Sequence, residues 1–298
     1  KQDAVKKAVE TIPTLQPFVF TSDPKEYNFN WRARKGLLSS IGGLRKTGKT
    51  CLIEDFAFPI DEVAEGCIAI KSLFKKYEYS DAALFGHALE GNLHIVFSQY
   101  FNDPKEVERY ANVLDDMAVI IVGKYNGSLK AEHGTGRNMA PFVEKEWGKA
   151  AYSIMKRIKD TFDPHKLINP GVIINDDPNA HIENLKPLPA ANELIDKCME
   201  CGFCEPNCVS EGLTLSPRQR IVIAREISRL KETGESPARL AKMLKDAQYF
   251  SDETCATDGL CGLVCPVKID TGKFIKDLRH VNASNRAKNI ASYIGDHM

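Results

Sequence analysis

Seven of the nine cysteines fall into two short runs. The first is Cys198-Met-Glu-Cys201-Gly-Phe-Cys204-Glu-Pro-Asn-Cys208, a C-x2-C-x2-C-x3-C spacing. Thiolates at this spacing wrap an iron–sulfur cluster: three sulfurs of one tight loop bind three irons, and the fourth cysteine serves elsewhere. Zinc sites use paired CxxC hooks rather than so dense a run. Gly202 lets the backbone turn closely past inorganic sulfide. The second run, Cys255-Ala-Thr-Asp258-Gly-Leu-Cys261-Gly-Leu-Val-Cys265-Pro266, keeps the frame but has Asp258 at the second position. If the last cysteine of each run crosses to the other cluster, Cys198, Cys201, Cys204 and Cys265 hold one 4Fe-4S cluster. Cys208, Cys255 and Cys261 are left for the second. Asp258 then either completes a second 4Fe-4S cluster through its carboxylate or caps loop amides beside a 3Fe-4S cluster. Cys51 and Cys67 stand apart among apolar residues and read as buried thiols.

A second set of residues suits a divalent metal. In Phe85-Gly86-His87-Ala88-Leu89-Glu90-Gly91-Asn92-Leu93-His94, a two-residue turn at Glu90-Gly91 sets His87 directly opposite His94. Both imidazoles then leave one face of a hairpin at a spacing that can share a metal, whereas a turn at Gly91-Asn92 breaks the pairing. Glu132, in Lys130-Ala-Glu132-His133-Gly134-Thr135-Gly136, is the candidate third ligand. It leaves His133 beside the metal as a general base. The glycines that follow let the loop approach a flat cofactor closely.

These residues need a scaffold. Cys51–Phe58 alternates as a strand that Pro59 ends, and 61–77 has apolar residues at helical spacing. Runs 82–87 and 93–98 read as strands, Pro104 opens a helix to about Val122, and 141–161 is helical again. The order strand–helix–strand–strand–helix predicts an α+β fold of ferredoxin-like type over residues 1–178. Residues 179–190, within a Pro- and Asn-rich stretch, read as a linker. A small all-α iron–sulfur domain, an α-helical ferredoxin, follows over 191–298. Its helices are expected near Ala191 and over 217–230, 237–248 and 271–293. So thin a core leaves part of the folding energy to bound clusters.

Composition excludes several classes. Lys plus Arg and Asp plus Glu are both 40, so no basic excess points to nucleic acid. The longest strongly apolar run, Met117–Val122, is too short for a transmembrane segment. The charged opening, without an initiator Met or an apolar leader core, suggests a segment of a longer protein, cytoplasmic or peripheral at the inner face of a membrane.

The motifs G-H-x-x-x-G-N-L-H (86–94), A-E-H-G-T-G (131–136) and Phe162-Asp163-Pro164-His165-Lys166-Leu167-Ile168-Asn169-Pro170-Gly171, in this order, resemble the C-terminal cap domain of FAD-linked oxidases. The adjoining cysteine runs resemble family members that fuse flavin and iron–sulfur domains. This resemblance implies oxidation of a D-2-hydroxy acid to the 2-oxo acid. It implies a zinc or similar divalent metal on His87, His94 and Glu132, and His133 as the base. It also implies Arg34 as the grip on the substrate carboxylate, and Asn169 with Gly134 and Gly136 near the flavin. Ile53 and Val96 stand where 2-hydroxyglutarate-specific relatives carry polar contacts, which favours a small substrate such as D-lactate, with D-2-hydroxyglutarate or glycolate as alternatives. The resemblance further implies a separate FAD-binding domain or subunit, without which this segment is expected to be inactive. A quinone, cytochrome or flavoprotein would accept the electrons. The alternative is a pure electron-transfer module without substrate chemistry.

Overall fold

Three short runs rich in apolar and β-branched residues form one antiparallel sheet in a computed structural model, which describes residues 2–13 and 18–297. They are β1 (Thr50–Ala57), β2 (Ala83–His87) and β3 (Asn92–Gln99), in the order β1-β3-β2. Period-2 alternation divides the central strand. Leu93, Ile95 and Phe97 enter an apolar core, while His94, Val96 and Ser98 face the other side of the sheet. The core face is covered by α3 (Val63–Lys76) through Ile70, Leu73 and Phe74, and by α4 (Pro104–Ala118) through Val113, Leu114 and Met117. Each such side chain contributes about 1.5–3 kcal/mol of burial, before ordering costs. Asp103 caps α4 by accepting the Lys105 N–H at 2.9 Å, with Pro104 in the first turn. α4 runs on into a π-helical turn, Val119–Lys124. α5 (Val143–Phe162) kinks at Gly148, whose φ of 75° is left-handed.

This arrangement agrees with the α+β reading and its chain order. The fourth strand of a complete ferredoxin-like sheet is not among the described residues. On the outer edge of β1, Ala57 and Ser128 instead exchange two N–H···O bonds of 2.9 Å.

The residues divide into two compact units, one within 1–38 and one within 39–298. The first holds α1 (Gln2–Val9) and most of α2 (Pro24–Leu44). The stretch 179–190, expected as a linker, is packed. Ile182 and Leu185 join the sheet core, and Leu188 bridges Gly48. The outer limits expected for the two domains, residues 1 and 298, lie outside the described residues.

Beyond residue 190 the chain is helical, as expected, with α6 (Pro217–Thr233), α7 (Pro237–Ala247), α8 (Leu260–Val264), α9 (Thr271–Asn282) and α10 (Asn285–Asp296). The helix expected near Ala191 is a single turn, in which the Asn192 carbonyl accepts the N–H groups of Ile195 and Asp196. The 271–293 stretch, expected as one or two helices, forms two: α9 ends with its C-cap at Ala283, and Ser284 starts α10 by accepting the Ala287 N–H at 3.2 Å. The core here is thin: Ile195, Ile221, Ile269, Phe274 and Ile275 are its buried apolar residues, with Cys198, Cys255 and Cys265 packed against them. No helix among the described residues is long and apolar enough to cross a membrane.

Candidate active site and cluster cavities

The face of the sheet turned away from α3 and α4 carries the histidines. β2 and β3 are joined by Ala88–Gly91, with Gly91 at φ 69°. His87 therefore pairs with Asn92, and Phe85 pairs with His94. The direct His87–His94 pairing expected from a Glu90-Gly91 turn is not formed. The register differs from that expectation by two residues, and a shift of two preserves the face. His87 and His94 are diagonal neighbours with ring centroids 5.8 Å apart.

Glu132 comes to the same place from the 125–138 loop. Its Oε1 lies 2.8 Å from His94 Nε2 and 3.6 Å from His87 Nε2. One ligand atom from each of the three residues lies within 4.8 Å of the others, a set suited to one cation with a position left open. His133 stacks on His94 with centroids 4.8 Å apart and planes 9° apart. It lies outside this set but forms, with Asp55 and His94, a second set of three ligand atoms within 4.8 Å of one another.

What holds the loop is Asp55, which has no exposed surface. It pairs with His94 across β1 and β3. Its Oδ2 accepts the backbone N–H groups of Ala131 (3.0 Å), Glu132 (2.5 Å) and His133 (3.1 Å). Its Oδ1 accepts no hydrogen bond and lies 3.6 Å from His133 Nδ1. Burial works to raise the Asp55 carboxyl, but the N–H donors of Glu132 and His133, with Lys130, outweigh it and hold the group below the usual carboxylate range. Glu54 secures the rest of the loop, accepting from Lys130 Nζ at 2.5 Å and from Asn138 Nδ2 at 2.7 Å. Burial, aided by His133, keeps His94 below the ordinary imidazole range, which favours the neutral ring that ligates. His94 Nδ1, buried without a hydrogen-bond partner, also fits a site that takes a cation. Neither Glu54 nor Asp55 stands out in the motifs; the signal for both is two adjacent acids inside an otherwise apolar strand.

Gly134 and Gly136 take left-handed φ values of 76° and 58°, and Asn169 takes 44°. The two loops meet. The Gly136 carbonyl accepts the Ile173 N–H at 3.1 Å, and Arg137 Nε donates to the Pro170 carbonyl at 3.1 Å. Asp163 organises the second loop, accepting N–H groups from Leu167 and Ile168, both at 2.9 Å, and Lys159 Nζ at 2.6 Å. Arg34 is on α2 in the first unit, its guanidinium 5.5 Å from the Trp31 ring centre.

The cysteines line two cavities. Cys198, Cys201, Cys204 and Cys265 surround one. Cys208, Cys255, Cys261 and Asp258 line the other. Each cavity thus draws on both runs, the crossed arrangement of the two sets. All nine thiols are free, and burial, helped by Cys198, pushes the Cys204 thiol up to about 12. Free thiols gathered around cavities fit a cluster whose irons supply the positive charge that thiolates need there. The Glu200 N–H already points at Cys198 Sγ, at 3.3 Å. Asp258 Oδ1 accepts the Leu260 N–H at 3.0 Å, a capping bond that leaves its second oxygen outside that contact.

Guanidinium groups brace the first cavity. Arg45 donates to the carbonyls of Lys197 (3.0 Å), Asp196 (3.0 Å) and Cys198 (2.6 Å). Arg225 donates to the carbonyls of Asp196 (3.2 Å) and Cys198 (2.8 Å) and to Glu200 Oε1 (2.8 Å).

The family model described as FAD linked oxidases, C-terminal domain, matches residues 1–173, more than half of the chain. The chain belongs to this family. A second model, described as a 4Fe-4S dicluster domain, matches residues 194–269 and takes in both cysteine runs. Among curated relatives, the glycolate oxidase subunit GlcD of Bacillus subtilis is 32% identical over 139 residues, 47% of this chain and 28% of its own. D-2-hydroxyglutarate dehydrogenase of Pantoea ananatis is 26% identical over 298 aligned positions, 82% of this chain and 29% of its own. Mitochondrial D-lactate dehydrogenase [cytochrome] of Arabidopsis thaliana is 30% identical over 159 residues, 53% and 27% respectively. The chain therefore spans less than a third of the length of each of these relatives.

Proposed function

We propose that this chain is the substrate-facing and electron-transfer part of a flavin- and iron–sulfur-dependent dehydrogenase that oxidises a D-2-hydroxy acid to the 2-oxo acid. The observation that carries the reading is the convergence of His87, His94 and Glu132 beside His133, in a unit that also holds both thiol-lined cavities. In this reading His87, His94 and Glu132 hold a divalent metal such as zinc. Arg34 orients the substrate carboxylate through its planar fork. His133 accepts the hydroxyl proton at Nε2, because its Nδ1 is turned to Asp55. Bound there, the metal supplies Lewis acidity and the flavin takes up hydride. FAD is held mainly by a part of the relatives' length that lies outside this chain, with Asn169, Gly134 and Gly136 facing it. Cys198, Cys201, Cys204 and Cys265, and Cys208, Cys255 and Cys261, would hold two clusters that supply one-electron transfer toward a quinone, cytochrome or flavoprotein acceptor. D-lactate is the favoured substrate because Ile53 and Val96, paired on the His94 face, are apolar where a 2-hydroxyglutarate substrate would call for polar contacts.

The test is flavin bleaching in the full-length protein over a panel of D- and L-2-hydroxy acids. D-lactate should bleach it fastest, and H133A should slow bleaching by about 100- to 10,000-fold. Bleaching by H133A at the wild-type rate would overturn the role of His133. Bleaching by no 2-hydroxy acid would overturn the function.

A further inference from the structure

Arg220 is a fully buried cation at an unusual position. It lies in the opening turns of α6, where the helix dipole is positive and a cation is disfavoured. The same helix start carries Arg218, but that group is paired with Glu205 at 3.0 Å. Arg220 has no such partner: among the described residues no carboxylate lies within 4.0 Å of it. Its donors go to the Ser251 carbonyl (2.8 Å), Ser210 Oγ (2.9 Å), Thr254 Oγ1 (3.3 Å) and Cys208 Sγ (3.8 Å). The Asp252 carboxylate acts on it only from beyond that distance, and a buried charge without a paired counter-charge is expensive. The missing negative charge is supplied by what the neighbouring cavity is built to hold, since Arg220 lines it together with Cys208, Cys255, Cys261 and Asp258.

We propose that Arg220 raises the reduction potential of the cluster held by Cys208, Cys255 and Cys261. The inference rests on the iron–sulfur reading of that cavity and on nothing in the hydroxy-acid chemistry. Reduction adds one electron to the cluster and hence one negative charge. A buried guanidinium donating to one of its thiolates stabilises the reduced form more than the oxidised form. The fork geometry matters as well: three neutral oxygen acceptors hold Nε and Nη2 so that Nη1 is left for sulfur.

The experiment is a potentiometric titration of the cluster-loaded protein with redox mediators, followed by electron paramagnetic resonance. It needs neither flavin nor substrate, so its outcome is independent of the proposed dehydrogenase activity. R220Q should weaken reduction of the second cluster at least about tenfold, about 59 mV for a one-electron couple. The cluster on Cys198, Cys201, Cys204 and Cys265 should stay unchanged. R220K, which keeps the charge but not the fork, should recover most of that shift. Unchanged midpoints in a fully loaded R220Q, or equal shifts in both clusters, would overturn the proposal. Should R220Q fail to load its second cluster, R220K decides: a loaded R220K with an intact midpoint supports the charge role, and one shifted by more than tenfold refutes it. A wild-type iron content of only one cluster would remove the cluster reading, and this inference with it.

Discussion

Asp55 and His94 face each other across β1 and β3, and through that one pairing the sheet carries both a histidine and the anchor of the loop that brings Glu132 to it. The three N–H groups bound by Asp55 belong to consecutive residues, so the carboxylate acts as a peg for the Ala131–His133 backbone. D55N keeps the shape but removes the charge and turns one oxygen into a donor. Urea denaturation should show a loss of about 2–3 kcal/mol, since hydrogen bonds to charged groups contribute roughly 1.5–3 kcal/mol each and relaxation returns part of it. Metal affinity measured by competition with a chromophoric chelator should fall about 10- to 100-fold, as for other residues that orient metal ligands. An unchanged affinity with normal folding would separate Asp55 from the metal set.

The hairpin loop is set by Gly91. A Cβ there would meet the Phe58 carbonyl oxygen at 2.1 Å, at a φ of 69°. G91A is expected to cost about 1–3 kcal/mol in a thermal melt, because both the contact and the backbone conformation oppose it. It should also reduce bound metal, measured by elemental analysis, because the loop sets the diagonal contact of His87 with His94. A variant as stable as wild type would show that this loop tolerates rearrangement.

Removal of the metal should distinguish the ligands from the base. On the proposed assignment, E132A should lose the metal while H133A keeps it, because His133 belongs to the neighbouring Asp55–His94–His133 set and not to the His87–His94–Glu132 one. Elemental analysis of both purified variants checks this, and metal lost equally from the two would contradict the division of roles.

Asp163 provides a pH dependence. The Lys159 ammonium hydrogen bond, with the N–H groups of Ile168 and Leu167, holds its carboxyl at about 2. A depressed folded value means that the contribution is complete above the ordinary carboxylate range near 3.9, and is lost as pH falls from there through about 2. Stability of the wild type should therefore fall between these limits more steeply than that of D163N. Chemical denaturation at pH 5, 3 and 2 gives the comparison, and parallel curves for the two proteins would refute it.

Arg45 ties the residues that follow α2 to the start of the first cysteine run. R45A removes three bonds to the carbonyls of residues 196–198 and should destabilise by about 2 kcal/mol, since solvent replaces part of each bond. Iron content of the cluster on Cys198 should drop with it. Full iron loading at unchanged stability would show that Arg225 suffices to brace this loop.

Much of this molecule is local in origin. The thiol frames, the two histidines and Glu132-His133 stand out in the chain because their chemistry depends on residue type and short spacing. The strand and helix periods around them are likewise local, and all three strands lie close to where alternation puts them. The Glu90-Gly91 turn misled about the direct partner of His87, since a loop's length is not encoded in the turn residues alone. The shared face survived because side chains alternate with period two. Only the tertiary structure decided that Glu54 and Asp55 are buried anchors, that residues 179–190 are packed, and that Arg220 lies without a carboxylate partner against Cys208. Each of these depends on what arrives from distant sequence to satisfy, or leave unsatisfied, a buried polar group, and spacing within one segment carries no record of that.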